Sequence, residues 1–259
     1  MDLGIAGRTA IVCAASKGLG RACAMQLAKE GVNVVITART LADLEATASD
    51  IRKVANVKVE IVACDVTTEE GRAQILKACP NPDILINNAG GPPPGDFKDF
   101  SLDDWRKAVE WNMITPIALI KSTVYGMMDR KFGRILNITS QSVKAPIASL
   151  ELSNGARAGL TGAIAVMARR AVRHNVTINN ILPGPFETDR LKSSTKRMAE
   201  LQGKSVDEIA DKRKAEVPAG RFGQPDEFGA AAAFMCSSHA GFITGQNLLL
   251  DGGIFPGAL

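Results

Sequence analysis

Thr9-Ala10-Ile11-Val12-Cys13 runs directly into Ala14-Ala15-Ser16-Lys17-Gly18-Leu19-Gly20, and the join between these two runs decides the fold. The first run is apolar or β-branched, as a buried strand requires. The second is mostly alanine, serine and glycine, and it feeds Arg21 to Glu30 (RACAMQLAKE), which carries a helical pattern. A strand, a turn of small residues and a helix N-terminus in that order make a pyrophosphate site. Backbone N–H groups and the positive end of the helix dipole face the anion, and only small side chains let it approach. Ala14, Ser16, Lys17, Gly18, Leu19 and Gly20 are therefore expected to line a dinucleotide.

Outward from this unit the chain repeats the same alternation without an internal sequence repeat or a polar linker. NVVITA (33–38), VKVEIVACD (57–65), DILINNAG (83–90), GRILNIT (133–139), NVTINNILPG (175–184) and QNLLLDGG (246–253) read as six more strands. Most are continuously apolar, which suits burial on both faces of a parallel sheet. The stretches between them, such as DEFGAAAAFMCS (226–237), are long enough for crossover helices. The expected fold is α/β: a Rossmann-type, doubly wound, seven-stranded parallel sheet with helices on both faces, in a single domain over 1–259. Gly90 to Asp103, with Pro92, Pro93 and Pro94, reads as a stiff loop. Residues 188–225 read as a long polar insertion that selects the substrate.

Composition narrows the partners. The 259 residues are 46% hydrophobic, enough for one large core, and no stretch reaches the roughly 18 apolar residues that span a bilayer. The start, MDLGIAGRTAIVC, lacks a basic region and a cleavage site, so a cytoplasmic protein is expected. Cys13, Cys23, Cys64, Cys79 and Cys236 follow no metal or disulfide spacing. The 31 basic and 27 acidic residues leave a net charge of +4 without a block, which argues against nucleic acid and leaves room for an anionic small molecule. Arg39, after the second strand, stands where an acidic residue would accept a hydrogen bond from the ribose 2′-hydroxyl. An arginine there suits a 2′-phosphate, and Lys17 adds a second positive charge, so NADP(H) is expected over NAD(H).

The glycine turn, Asp65-Val66, Asn87-Asn88-Ala89-Gly90, Pro183-Gly184 with Thr188, Gly220-Arg221-Phe222-Gly223-Gln224-Pro225 and Asp251-Gly252-Gly253 occur in an order that resembles the short-chain dehydrogenase/reductase family over nearly the whole chain. The nearest pattern is that of its β-ketoacyl-acyl-carrier-protein reductases. The resemblance implies that Asp65 and Val66 contact adenine, that Asn88, Ala89 and Gly90 border the cofactor, and that Pro183, Gly184 and Thr188 hold the nicotinamide side. The family turn reads Thr-Gly-x-x-x-Gly-x-Gly, and Cys13 and Ala14 replace its first two residues here.

The same resemblance places a catalytic Asn at Asn112 and a catalytic Ser at Ser140. The family's Tyr, thirteen residues beyond the Ser, is Ser153 here, and its Lys, four further on, is Arg157. A serine hydroxyl is a far weaker acid than a phenol, and an arginine stays protonated, so the site is atypical. Arg157 retains the ability to hold ribose hydroxyls or an anion. The chain has one tyrosine, Tyr125, about 20 Å along a helix read as starting near Asn112, which makes it structural. Lys144 is the one ammonium expected near the pocket, and His174 and His239 are expected at the surface.

The implied activity is NADP(H)-dependent interconversion of a carbonyl and a hydroxyl group by hydride transfer, with Asn112, Ser140, Ser153 and Arg157 as the catalytic set and a small molecule, neutral or anionic, as substrate. Two alternatives stay open on the same fold: a non-redox lyase- or dehalogenase-like enzyme, and an NADP(H)-binding regulator without turnover. A helix over about 153–173 carries Gly155, Gly159 and Gly162, then Val166, on the face opposite Ser153 and Arg157. In the family this helix pairs with a second subunit, so a homodimer or homotetramer is expected.

Overall fold

A computed structural model describes residues 1–257. β1 (Thr9–Cys13) leads into α1 (Gly18–Lys29), β2 (Asn33–Ala38) into α2 (Leu41–Val54), and β3 (Val59–Ala63) into α3 (Glu69–Ala78). β4 (Ile84–Asn87) is followed by α4 (Leu102–Val109), a π-helical segment at Glu110–Ile114, and α5 (Thr115–Asp129). Then come β5 (Gly133–Ile138), α6 (Glu151–Ala171), β6 (Val176–Pro183), α7 (Asp189–Gln202), α8 (Val206–Ala215), α9 (Pro225–Met235) and β7 (Asn247–Leu250). Every expected strand is present, and all pairs are parallel, in the order β3-β2-β1-β4-β5-β6-β7.

Strand side chains divide between two cores. Ala10, Val12, Val34 and Ile36 pack with α1, α2 and α9 through Leu27, Leu44, Ile51 and Phe228. Ile11, Val35, Leu85 and Ile135 pack on the other face with α3, α5 and α6 through Ile75, Leu119, Leu160 and Ile164. This is the doubly wound arrangement, and chain direction across the sheet reverses between β1 and β4. Ligands of such sheets bind in the crevice at that point, beyond the carboxyl ends of the two strands.

A ladder of asparagines crosses the sheet at that same end. Asn87 Nδ2 donates to Asn137 Oδ1 at 2.8 Å, Asn137 Nδ2 to Asn180 Oδ1 at 3.0 Å, and Asn180 Nδ2 to Asn247 Oδ1 at 2.7 Å. The first two of these pairs lie directly opposite one another in the strand register, as do Asn180 and Asn247. Asn87, Asn137 and Asn180 are buried, so each amide needs its neighbour.

Three expectations give way to the structure. Residues 188–225 hold two helices, not a polar loop. Thr188 caps α7 by accepting from Leu191 N, Ser205 caps α8 by accepting from Glu208 N, and Thr195, Ala199 and Ile209 provide narrow buried stripes. The Gly220–Pro225 phrase ends that segment as a clasp: Arg221 grips Glu227 with two hydrogen bonds of 2.8 and 2.6 Å, and Glu227 accepts from Gln224 N to start α9.

The helical run containing Asn112 begins at Leu102, where Ser101 and Asp104 form a capping box, and Asn112 lies inside it on the π segment. The glycine face of α6 is divided. A Cβ on Gly155 would stand 3.3 Å from Trp105, and one on Gly159 would stand 2.8 Å from Met113 Sδ, both in the same chain. Close packing inside one subunit accounts for these two glycines. Gly162 has nothing within 4 Å and Val166 is exposed.

Candidate active site

The turn after β1 is shaped by backbone sterics. Gly18 has φ +58 and Ala14 has φ +48, in the left-handed region that glycine enters freely and alanine enters at a cost. A Cβ on Gly20 would lie 2.3 Å from the Ala14 carbonyl oxygen, so helix and turn meet as closely as the family pattern requires. Thr188 closes over the turn, its methyl 3.4 Å from the Cβ position of Gly18.

An open cleft runs from this turn over β2, β3 and β4, walled by Ala14, Ser16, Arg39, Asp65, Val66, Ala89 and Gly90 among others. Asp65 Oδ1 accepts from Thr67 N and Oγ1, which fixes the carboxylate and leaves Oδ2 free. Arg39 is exposed and makes no hydrogen bond or ion pair among the described residues. Lys17 is different. Its Nζ pairs with Asp43 Oδ2 at 3.0 Å, which raises its pKa, and it does not line the cleft. The second positive charge expected there is neutralised by the first turn of α2.

The dinucleotide cleft shares Val66, Ala89 and Trp111 with a deeper pocket lined by Asn87, Asn112, Ile138 and Arg157. Asn112 is buried, and its Nδ2 donates to Gly90 O at 3.0 Å, tying the π segment to the end of β4. Its Oδ1 and the Oδ1 of Asn87 are buried without a protein partner and face this pocket region. Arg157 is 8% exposed, as is Ser153 one turn earlier on α6. Arg157 Nε donates to Ser153 Oγ at 3.1 Å, and Nη1 donates to Ile138 O at 2.9 Å. Burial, and then the neighbouring Arg190 guanidinium, lower the Arg157 pKa to about 10, so it remains a cation at neutral pH.

Ser140 sits two residues beyond Ile138, at the mouth of β5. Its Oγ accepts from Ser142 N at 3.1 Å and starts a single 3₁₀ turn, with its own proton free to donate. Gly184 cannot carry a side chain, because a Cβ would fall 2.7 Å from Asp251 Cα. Arg157 thus directly joins Ser153, the β5 end and the Asn112 pocket, while no hydrogen bond connects Ser140 to Ser153.

Two residues of this region escape the sequence motifs. Trp111 walls both pockets, and its one sequence signal is adjacency to Asn112. Arg190 lies in the first turn of α7, inside the segment read as a loop. Its Nη1 and Nη2 both approach within 3.0 Å of the Cβ position of Gly91 on the cleft wall. Lys144 is exposed and stands 5.6 Å above the Phe255 ring. Tyr125 is 59% exposed on α5.

The family model of enoyl-(acyl carrier protein) reductases matches residues 13–254. With the sheet order and the cleft, this defines a dinucleotide-fold oxidoreductase, and the chain belongs to the short-chain dehydrogenase/reductase family. It is 32% identical to NADPH-dependent reductase BacG of Bacillus subtilis over 95% of this chain and 97% of that one. It is 33% identical to the 3-oxoacyl-(acyl-carrier-protein) reductase FabG of Vibrio cholerae, covering 98% of this chain and 99% of the relative. L-sorbose reductase from Gluconobacter frateurii, solved with NADPH and L-sorbose, superposes with a TM-score of 0.93 at 28% identity, over 99% of this chain and 100% of that one.

Proposed function

We propose that the protein is an NADP(H)-dependent oxidoreductase that interconverts a carbonyl and a hydroxyl group, with a serine–arginine pair in place of the family's phenol and amine. The observation that carries this reading is the Arg157–Ser153 hydrogen bond, in a pocket that opens onto the dinucleotide cleft. The cleft fits the cofactor: a turn with no room for a Cβ at Gly20, a free carboxylate oxygen on Asp65, and an unpaired Arg39 for the 2′-phosphate. Bound there, the reduced cofactor would supply the hydride that the carbonyl carbon accepts.

The residues of this chain then divide the rest of the work. Ser140 donates a hydrogen bond to the substrate oxygen and polarises it. Ser153 Oγ already accepts from Arg157 Nε, so its own proton points elsewhere and is available to the developing alkoxide. The guanidinium stabilises the oxygen that loses that proton. Asn112 fixes the Gly90 backbone and presents Oδ1 to hold a water as an alternative proton source. Because a serine hydroxyl is a poor acid, turnover should fall about 10²–10⁴-fold below that of relatives with a phenol.

Initial rates of NADPH oxidation on a panel of ketones and β-ketoacyl thioesters test the reading. Slow but measurable turnover is expected, with a loss of about tenfold or more in Ser153→Ala and a gain in the double variant Ser153→Tyr/Arg157→Lys that neither single change gives. NADPH binding without oxidation of any panel member, in wild type and double variant alike, would favour a non-redox site or a sensor.

A further inference from the structure

The asparagine ladder has a direction, and one backbone carbonyl sets it. Asn137 Nδ2 donates to Asn179 O at 3.3 Å as well as to Asn180 Oδ1 at 3.0 Å, and a carbonyl oxygen can only accept. That fixes the Asn137 amide with its Oδ1 toward Asn87, which answers with Nδ2. Asn180, having accepted from Asn137, donates onward to Asn247. Every amide oxygen of the ladder therefore faces back toward Asn87. The free end is Asn87 Oδ1, buried without a protein partner. Hydrogen bonds in a chain polarise one another, so negative character gathers at that oxygen.

The pocket at that end is lined by Asn87, Asn112, Thr115 and Arg157, all of them buried. Asn112 is fixed in the same way as Asn137: its Nδ2 is spent on Gly90 O, which leaves Oδ1 unpartnered. Thr115 Oγ1, at the start of α5, has no protein partner either. Arg157 supplies what these oxygens lack. Its Nε goes to Ser153 and its Nη1 to Ile138 O, and Nη2 donates to no acceptor among the described residues. Leaving such groups unpaired is costly on both sides. The cavity volume is about 20 Å³, and one water takes roughly 10–15 Å³ on that measure. A water accepts from a guanidinium while donating to two amide oxygens, which an ion of either sign cannot do.

We propose that this pocket holds one ordered water between Arg157 Nη2 and the amide oxygens of Asn87 and Asn112, with the Thr115 hydroxyl beside it, and that Asn87, Asn112 and Thr115 are positioning residues that act through this water to keep Arg157 on Ser153. The water site stands apart from the carbonyl–hydroxyl reading, whereas its effect on turnover rests on that reading. The polarised ladder gives the buried guanidinium a fixed negative pole where a carboxylate would otherwise serve. Because every member of that pole is neutral, its hold on Arg157 does not titrate.

A crystal structure of the full chain refined with solvent tests the site directly. Density for a water within hydrogen-bond reach of Arg157 Nη2 and of at least one of the two amide oxygens is expected. Exchange of the Arg157 Nε proton with solvent, followed by heteronuclear NMR, reads the consequence without turnover. Thr115→Val keeps the side-chain shape and removes the hydroxyl; it should speed that exchange about tenfold, the worth of one hydrogen bond, and Thr115→Ser should restore it. Where the carbonyl–hydroxyl reading holds, Thr115→Val should lower kcat by about the same factor and leave KM and the NADPH dissociation constant unchanged. Faster exchange in a protein that oxidises no NADPH would sustain the water site while defeating the redox reading. A dry pocket predicts the opposite, because removing an unpaired buried hydroxyl then relieves a cost. A pocket without water density, or an Arg157 proton that exchanges no faster in Thr115→Val, would overturn the proposal.

Discussion

On the proposed reading, cofactor choice turns on Arg39. With Lys17 paired to Asp43, we propose that the Arg39 guanidinium carries most of the discrimination that two charges were expected to share. Charge-assisted hydrogen bonds to a 2′-phosphate are worth roughly 1.5–3 kcal/mol, so NADPH should bind about tenfold to a hundredfold more tightly than NADH. Arg39→Asp should reverse that order, whereas Lys17→Ala should change it little; calorimetry with both cofactors reads each outcome. Ala14 offers a second test at this scale. Its φ of +48 is a conformation alanine resists, so Ala14→Gly should raise stability by about 0.5–1 kcal/mol in urea titration with NADPH affinity retained.

Among the elements, α6 joins the proposed chemistry to the packing. One face carries Ser153 and Arg157 inward, and the other sets Gly155 and Gly159 against Trp105 and Met113. Gly159→Leu should force Met113 aside and cost about 1–3 kcal/mol as overpacking, lowering the melting temperature of the chain itself. Gly162 and Val166 face open space, so Gly162→Leu should leave the fold intact. If a second copy docks here, as the family resemblance implies, light scattering of that variant should show a smaller assembly than the wild type. The π segment is a comparable element: its extra residue per turn buries Asn112 and turns its amide onto Gly90.

On the scale of the whole molecule, the asparagine ladder spans four strands and ends at the pocket. Asn137 is its centre, accepting from Asn87 and donating to Asn180. Asn137→Leu would leave two buried amides short of a partner and should cost roughly 2–4 kcal/mol in denaturant titration. A companion Asn87→Leu, which removes an end of the ladder, should cost less. Because Asn87 lines the Arg157 pocket, both variants should also lower turnover more than a substitution of equal stability cost in the α1–α9 core.

The sequence alone determined the strands, the parallel doubly wound sheet and the phosphate turn, because buried strands and glycine turns are local patterns whose meaning does not depend on distant partners. It also put Arg39 and Asn112 on the walls of the two pockets and Ser153 beside Arg157 on one helix, since a fixed spacing along known elements carries over from family to chain. What it misjudged depends on contacts made across the fold. Lys17 pairs with Asp43, which lies on the next helix; Gly155 and Gly159 of α6 meet Trp105 and Met113 in their own chain; residues 188–225 became helices through caps and buried stripes too narrow to stand out from a polar composition. The asparagine ladder and the approach of Arg190 to Gly91 were decided by tertiary structure only. Register across four strands aligns the amides, and closure of α7 over the turn brings Arg190 to the cleft wall, and neither alignment leaves a periodic trace in the chain.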